Sequence, residues 1–157
     1  MYFRFNIVMF SAFIFFSCAE MKPEGNSVTF LVTANVRGQL DPCGWKANPL
    51  GGLPRRATYI NQVKSSGIDP ILIDAGDSMF ESYYFSKGKE ASAKLRAKTV
   101  IEHTSKMGDY YYNVGVQDFT AGLDFIKNIQ NESSVHFLSA NLYDTITDTL
   151  LFKDHII

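Results

Sequence analysis

The chain has 157 residues, enough for one domain with a sizeable core, and its 46% hydrophobic content excludes a disordered polymer. A net charge of -1 gives no electrostatic footprint for a nucleic acid polymer or an anionic membrane surface. Residues 1–17 open with a single Arg4 and continue through the apolar run IVMFSAFIFF. Ten helical residues span about 15 Å, short of a hydrocarbon core of about 30 Å. This is the pattern of an export signal. Cys18 follows Ser17 where the apolar run ends, which predicts a bacterial lipoprotein with Cys18 acylated and residues 18–27 as a polar tether. An ordinary signal peptide or N-terminal anchor is the alternative. With Cys18 lipidated, Cys43 has no partner within the chain, so no disulfide framework is expected.

Residues 28–34, VTFLVTA, are apolar without a polar stripe and predict a strand covered on both faces. A loop rich in Gly, Pro and Asn follows. Residues 53–66 read as a helix, with Pro54 in the first turn and Gly67 just past the end. PILIDAG, residues 70–76, is a second buried strand, and residues 89–107 a second amphipathic helix stopped by Gly108. DYYYNVG, residues 109–115, is a third strand, with its tyrosines as packing residues. Asp118 is placed to cap a helix over residues 119–130, VHFLSAN at 135–141 is a fourth strand, and residues 150–157 open a fifth.

Strand and helix alternating at this spacing predict an α/β fold: a mainly parallel sheet with right-handed crossovers and helices on both faces. The loops that follow such strands share one edge, where ligands bind. Those loops carry Asn35 and Arg37, then Asp74 and Asp77, then Gln117 and Asp118, then Asn141. Asp74 and Asp77 in ILIDAGDSMF either end a strand and form a turn or face a metal. Phe80, Tyr83, Tyr84 and Phe85 either pack a loop on the core or offer faces on which a base stacks. Arg55 and Arg56 begin a helix after the long loop; they read as solvated surface arginines or as groups reaching a phosphate. His103, His136 and His155 have no partner at metal-ligand spacing and read as structural.

Five stretches together resemble the N-terminal catalytic part of the 5'-nucleotidase branch of the calcineurin-like metallophosphoesterases. VTFLVTANVRGQL stands where that family has a strand and a Thr-Asn-Asp-x-His-Gly motif. NPLGGLPRRATYI is similar to its Gly-Gly-Leu-Ala-Arg helix start, and ILIDAGDSMF to its Leu-Leu-Asp-Ala-Gly-Asp motif. YYNVGVQDFTAGLDFI stands at Gly-Asn-His-Glu-Phe-Asp, and VHFLSANLYD at a Ser-Ala-Asn strand end. DPCG resembles a sub-branch with Pro-Cys-Gly-Cys, with Trp45 in place of the second Cys. The resemblance implies residues 28–157 as an incomplete, N-terminal portion of a metallophosphoesterase-like domain. It implies a two-cation centre of the Mn, Zn or Fe type that clamps a phosphate and activates a water. Asn35 and the bridging Asp77 would be metal ligands, Asp74 a supporting acid, Gln117 and Asp118 the catalytic positions, and Arg37 and Arg55 the phosphate contacts.

The implied ligand set is degenerate. Asn35 is a neutral amide where the family has Asp, and Arg37 stands for a ligating His although a guanidinium cannot bind a cation. Val116 replaces a ligating Asn, and Gln117 replaces a His that shuttles a proton. Only Asp77 is retained among the motif ligands that align. Two functions follow. One is an exported phosphoesterase acting on small phosphate esters or nucleotides, in the periplasm or at a bacterial surface, inactive as this fragment. The other is a non-catalytic surface lipoprotein that binds an anion or a partner along the same edge.

Overall fold

The computed structural model describes residues 27–44, 47 and 49–154. The export signal, Cys18, all but the last residue of the tether, Trp45 and His155 lie outside the described residues. Four parallel strands, β1 (Phe30–Thr33), β2 (Ile71–Asp74), β3 (Tyr110–Asn113) and β4 (His136–Leu138), stand in the order β1-β2-β3-β4. Helix α1 (Leu53–Ser65) joins β1 to β2, and α2 (Glu90–Ser105) joins β2 to β3. Between β3 and β4 lie a 3-10 turn (Gln117–Ala121) and α3 (Leu123–Glu132). The α/β class and the parallel sheet are those expected.

The strand order also decides where the helices sit. Each right-handed crossover to the next strand in one constant direction lands on the same side of the sheet. Leu72, Tyr110, Tyr112 and Phe137 face that side and are buried with Leu53 and Ile60 of α1, Val100 and Ile101 of α2, and Ile126 and Ile129 of α3. The register puts Phe30 beside Ile71, Val32 beside Ile73, and Tyr111 beside both Ile73 and His136. These residues point to the other side, where Phe30 is 54% and Val32 61% exposed. Helices on both faces were expected; among the described residues one face alone carries them. β1 is likewise an edge strand open on one face, not covered on both.

Two further boundaries move. The expected helix at 119–130 is broken at Gly122, whose positive-φ backbone (φ 86, ψ 165) is open to glycine but not to a helix, so α3 starts at Leu123 without a side-chain cap. Asp118 turns inward instead of capping it. Within the expected fifth strand, the described residues 150–154 form isolated bridges, Lys153 parallel to Leu138 and Leu150 antiparallel to Tyr143, with Ser139 N–H donating to the Lys153 carbonyl at 2.8 Å. His136 is structural, as the sequence suggests: its Nε2 lies 2.6 Å from Asp109 Oδ1 and its ring stacks on Tyr111. His103 is exposed on α2. No helix among the described residues is long and apolar enough to cross a membrane.

Candidate functional site

β1 and β2 end side by side, and their loops stay zipped beyond the sheet. Asn35 N–H donates to the Gly76 carbonyl at 2.9 Å, Arg37 N–H to that of Asp77 at 3.1 Å, and Gly38 N–H to that of Ser78 at 2.9 Å. Three non-glycine residues at this junction hold left-handed backbone: Asn35 (φ 54), Arg37 (φ 53) and Asp77 (φ 56). Asn and Asp tolerate that region; for Arg it costs energy that the surrounding bonds must offset. The β3 loop closes from the other side. A Cβ on Gly115 would lie 2.6 Å from Asp77 N, and one on Gly76 2.8 Å from the Asn113 carbonyl, so the two loops meet backbone to backbone only because both residues are glycine.

The carboxylates divide into three roles. Asp77 is half-buried, and its Oδ1 accepts the Gln117 N–H at 2.7 Å. Asp118 is fully buried; its Oδ2 accepts N–H from Asp77 (3.0 Å) and Gly115 (2.8 Å), and its Oδ1 that of Met79 (3.1 Å). Burial raises its pKa above the ordinary carboxylate value, against the pull of those amides and the Tyr112 hydroxyl. Tyr112 is itself driven well above the ordinary phenol value, by burial first and then by Asp118 and Asp74. Asp74 is buried at the end of β2 and accepts from Thr33 Oγ1 (2.8 Å), Gly76 N–H (2.9 Å) and Ser78 Oγ (2.8 and 2.9 Å).

Arg56 completes the Asp74 network, a role that neither of its sequence readings contained. Its Nη1 lies 3.8 Å from Asp74 Oδ2 and donates to the Tyr110 hydroxyl at 3.4 Å, its Nη2 donates to Thr104 Oγ1, and its guanidinium lies 5.7 Å from the Tyr110 ring centre. Its side chain is 12% exposed, so it is not a solvated surface arginine. A signal was present: Leu53, Arg56 and Ile60 fall at helical spacing, and Leu53 and Ile60 are the buried residues of α1. Arg55 is exposed, and no hydrogen bond or ion pair among the described residues ties it to the rim.

Of the residues picked from the sequence, Asn35, Arg37, Asp77, Gln117 and Asp118 come together. Arg55 and Asn141 are not joined to them; Asn141 Oδ1 accepts from its neighbour Ser139 Oγ at 2.9 Å. Gln117 is buried, and its Oε1 has no hydrogen-bond partner among the described residues. Such an orphaned acceptor marks a place for a donor or a water. The donors do not make a two-cation centre, since Asp118 and Asp74 spend both oxygens on protein groups and Asp77 spends one. No group of three His, Cys, Asp or Glu that could hold a metal occurs among the described residues.

A parallel sheet whose loops gather polar, left-handed residues on one edge has the architecture in which other α/β proteins bind ligands at strand ends. Its particular fold is that of nucleotidases, as the resemblance implies. The structure is similar to a 5'-nucleotidase precursor from Thermus thermophilus (TM-score 0.59, 20% identity, 80% of this chain and 25% of that one). It is also similar to an NAD nucleotidase from Haemophilus influenzae (TM-score 0.56, 18% identity, 80% of this chain and 23% of that one). In sequence it is 26% identical over 110 residues to a 2',3'-cyclic-nucleotide 2'-phosphodiesterase/3'-nucleotidase from Yersinia enterocolitica, covering 68% of this chain and 16% of the relative. No protein-family model matches the chain. The resemblance to the 5'-nucleotidase-like metallophosphoesterases thus holds in sequence and in fold, over about a sixth to a quarter of the relatives' length.

Proposed function

We propose that residues 28–157 are the N-terminal part of an exported 5'-nucleotidase-like phosphoester hydrolase domain, with residues 1–17 as export signal and Cys18 as lipid anchor in a bacterial envelope. Its rim receives the phosphate of a small phosphate ester or nucleotide. Arg37 supplies the cation, Gln117 hydrogen-bonds the phosphate, and Asn35 and Asp77 present oxygens where the resemblance implies metal. Asp118 acts as a positioning residue, since its oxygens are filled by the amides of both loops. The observation that carries this reading is the zipped junction, which holds Asn35, Arg37, Asp77 and Gln117 on one edge.

Among the described residues the rim offers fewer ligands than two-cation hydrolysis needs, so no turnover is expected from the 157 residues alone. The second reading, an anion-binding lipoprotein without catalysis, is favoured by Arg37, an obligate cation where the resemblance implies a ligating His. One experiment separates them. Metal content and p-nitrophenyl phosphate hydrolysis with added manganese are measured for this chain and for the natural product of its gene. No turnover from the chain, with turnover from the natural product that Asp77→Ala abolishes, supports the hydrolase. Neither metal nor turnover from either protein overturns it in favour of anion binding alone.

A further inference from the structure

A cavity lies beside the rim, between the loop after β2 and the first two turns of α2. Its volume is about 750 Å³, within the range of about 300–1,000 Å³ typical of small-molecule sites. We propose that it binds an oxyanion of the phosphate class carried on a planar apolar group. The site is distinct from the carboxylates of the rim and does not depend on hydrolysis there.

Charge is the first argument. Lys89 and Arg96 line the cavity against one acid, Glu81. Arg96 Nη1 lies 3.8 Å from Glu81 Oε2, too far for a hydrogen bond, with the two side chains 45% and 81% exposed. That ion pair is weak, so the guanidinium keeps its planar donor fork for an incoming oxyanion. Its position is set by packing. A Cβ on Gly38 would meet Arg96 Cδ at 3.1 Å, which shows how closely the arginine stem lies along the β1 loop and fixes the head beside the rim.

The second argument is the donors around it. Ser82 and Ser86 bring hydroxyls to the wall. The first turn of α2 enters the same cavity through Lys89 and Ser92, and no side chain caps it. The first amides of this 16-residue helix therefore add their partial positive charge to that of the two cations. The third argument is the apolar wall. Phe85 is held edge-on to the buried Phe80 with centroids 5.7 Å apart, and Tyr84 beside it is 74% exposed. A planar group stacked here would cover apolar surface that the chain itself leaves to water.

The test uses phenylphosphonate, which keeps the oxyanion and the ring but cannot be hydrolysed, and methylphosphonate, which lacks the ring. Binding is followed by calorimetry and by amide shifts. Phenylphosphonate is expected to bind and shift the amides of residues 82–93, and to bind more tightly than methylphosphonate. Arg96→Gln should weaken it about tenfold, as for loss of a charged hydrogen bond. Glu81→Gln should tighten it, because it removes the competing carboxylate. Arg37→Gln should leave it unchanged, which separates this site from the rim. Equal affinity for both phosphonates, an unchanged affinity in both Arg96→Gln and Lys89→Gln, or loss of binding in Arg37→Gln overturns it.

Discussion

Asp118→Ala is expected to cost about 3–5 kcal/mol, by leaving three buried amides without an acceptor at roughly 1–3 kcal/mol each, less partial relaxation. A domain holds only about 5–15 kcal/mol in total, so the variant should lose ten degrees or more of thermal midpoint, or fail to fold. The three donors, Asp77, Met79 and Gly115, belong to the loops after β2 and β3. Asp118→Asn is not a rescue, since its amide nitrogen would face an N–H donor on one side. The wild-type chain adds a pH signature. Burial raises the Asp118 pKa, so the folded state holds this proton more tightly than the unfolded chain. The stability it contributes is full below the unfolded value of about 4 and is lost as pH climbs through the folded value. Urea midpoints should fall across that interval in the wild type, and this component should vanish in Asp118→Ala.

Arg56→Met and Arg55→Met form the second pair, and adjacent identical residues should behave oppositely. Removing the Arg56 guanidinium strips Asp74 of its cation and Thr104 and Tyr110 of a donor. Leaving a buried carboxylate without its compensating charge costs about 3–5 kcal/mol, reduced here because Thr33, Gly76 and Ser78 still donate to Asp74. A loss of about 2–3 kcal/mol in denaturant titration is the expected result. Arg55→Met at an exposed position should change stability by less than about 0.5 kcal/mol. Equal effects would mean that the helix presents its arginines otherwise than described.

The contrast between these neighbours shows where the sequence was legible. The strand at ILID, the turn residues after it and the helix starting at Leu53 all follow from local pattern, whereas the expected burial of that strand fails at the exposed Ile71. Asn35, Arg37, Asp77 and Gln117 could be placed on one edge because parallel strands put their loops there. The open second face of β1 could not be read. An apolar segment looks the same whether a helix or water lies on its second face, and the order β1-β2-β3-β4 is decided by pairings between distant residues. Asp118 looked like a helix cap because capping is local, whereas its real partners are 39 and 41 positions away at Met79 and Asp77, with Gly115 nearby. The Arg55–Arg56 doublet needed only helical phase. The differences from the motifs of the resembled family were visible residue by residue, but the orphaned Gln117 Oε1 appears only in three dimensions.

Everything proposed for the rim rests on the loops after β2 and β3 meeting through Asp77. The amide proton of Gln117 reports this contact, because an N–H donating to a carboxylate at 2.7 Å resonates far downfield. The amide spectrum should show the Gln117 proton far downfield in the wild type and returned to the ordinary range in Asp77→Ala. A Gln117 amide at an ordinary shift in the wild type, indifferent to the substitution, would contradict the account.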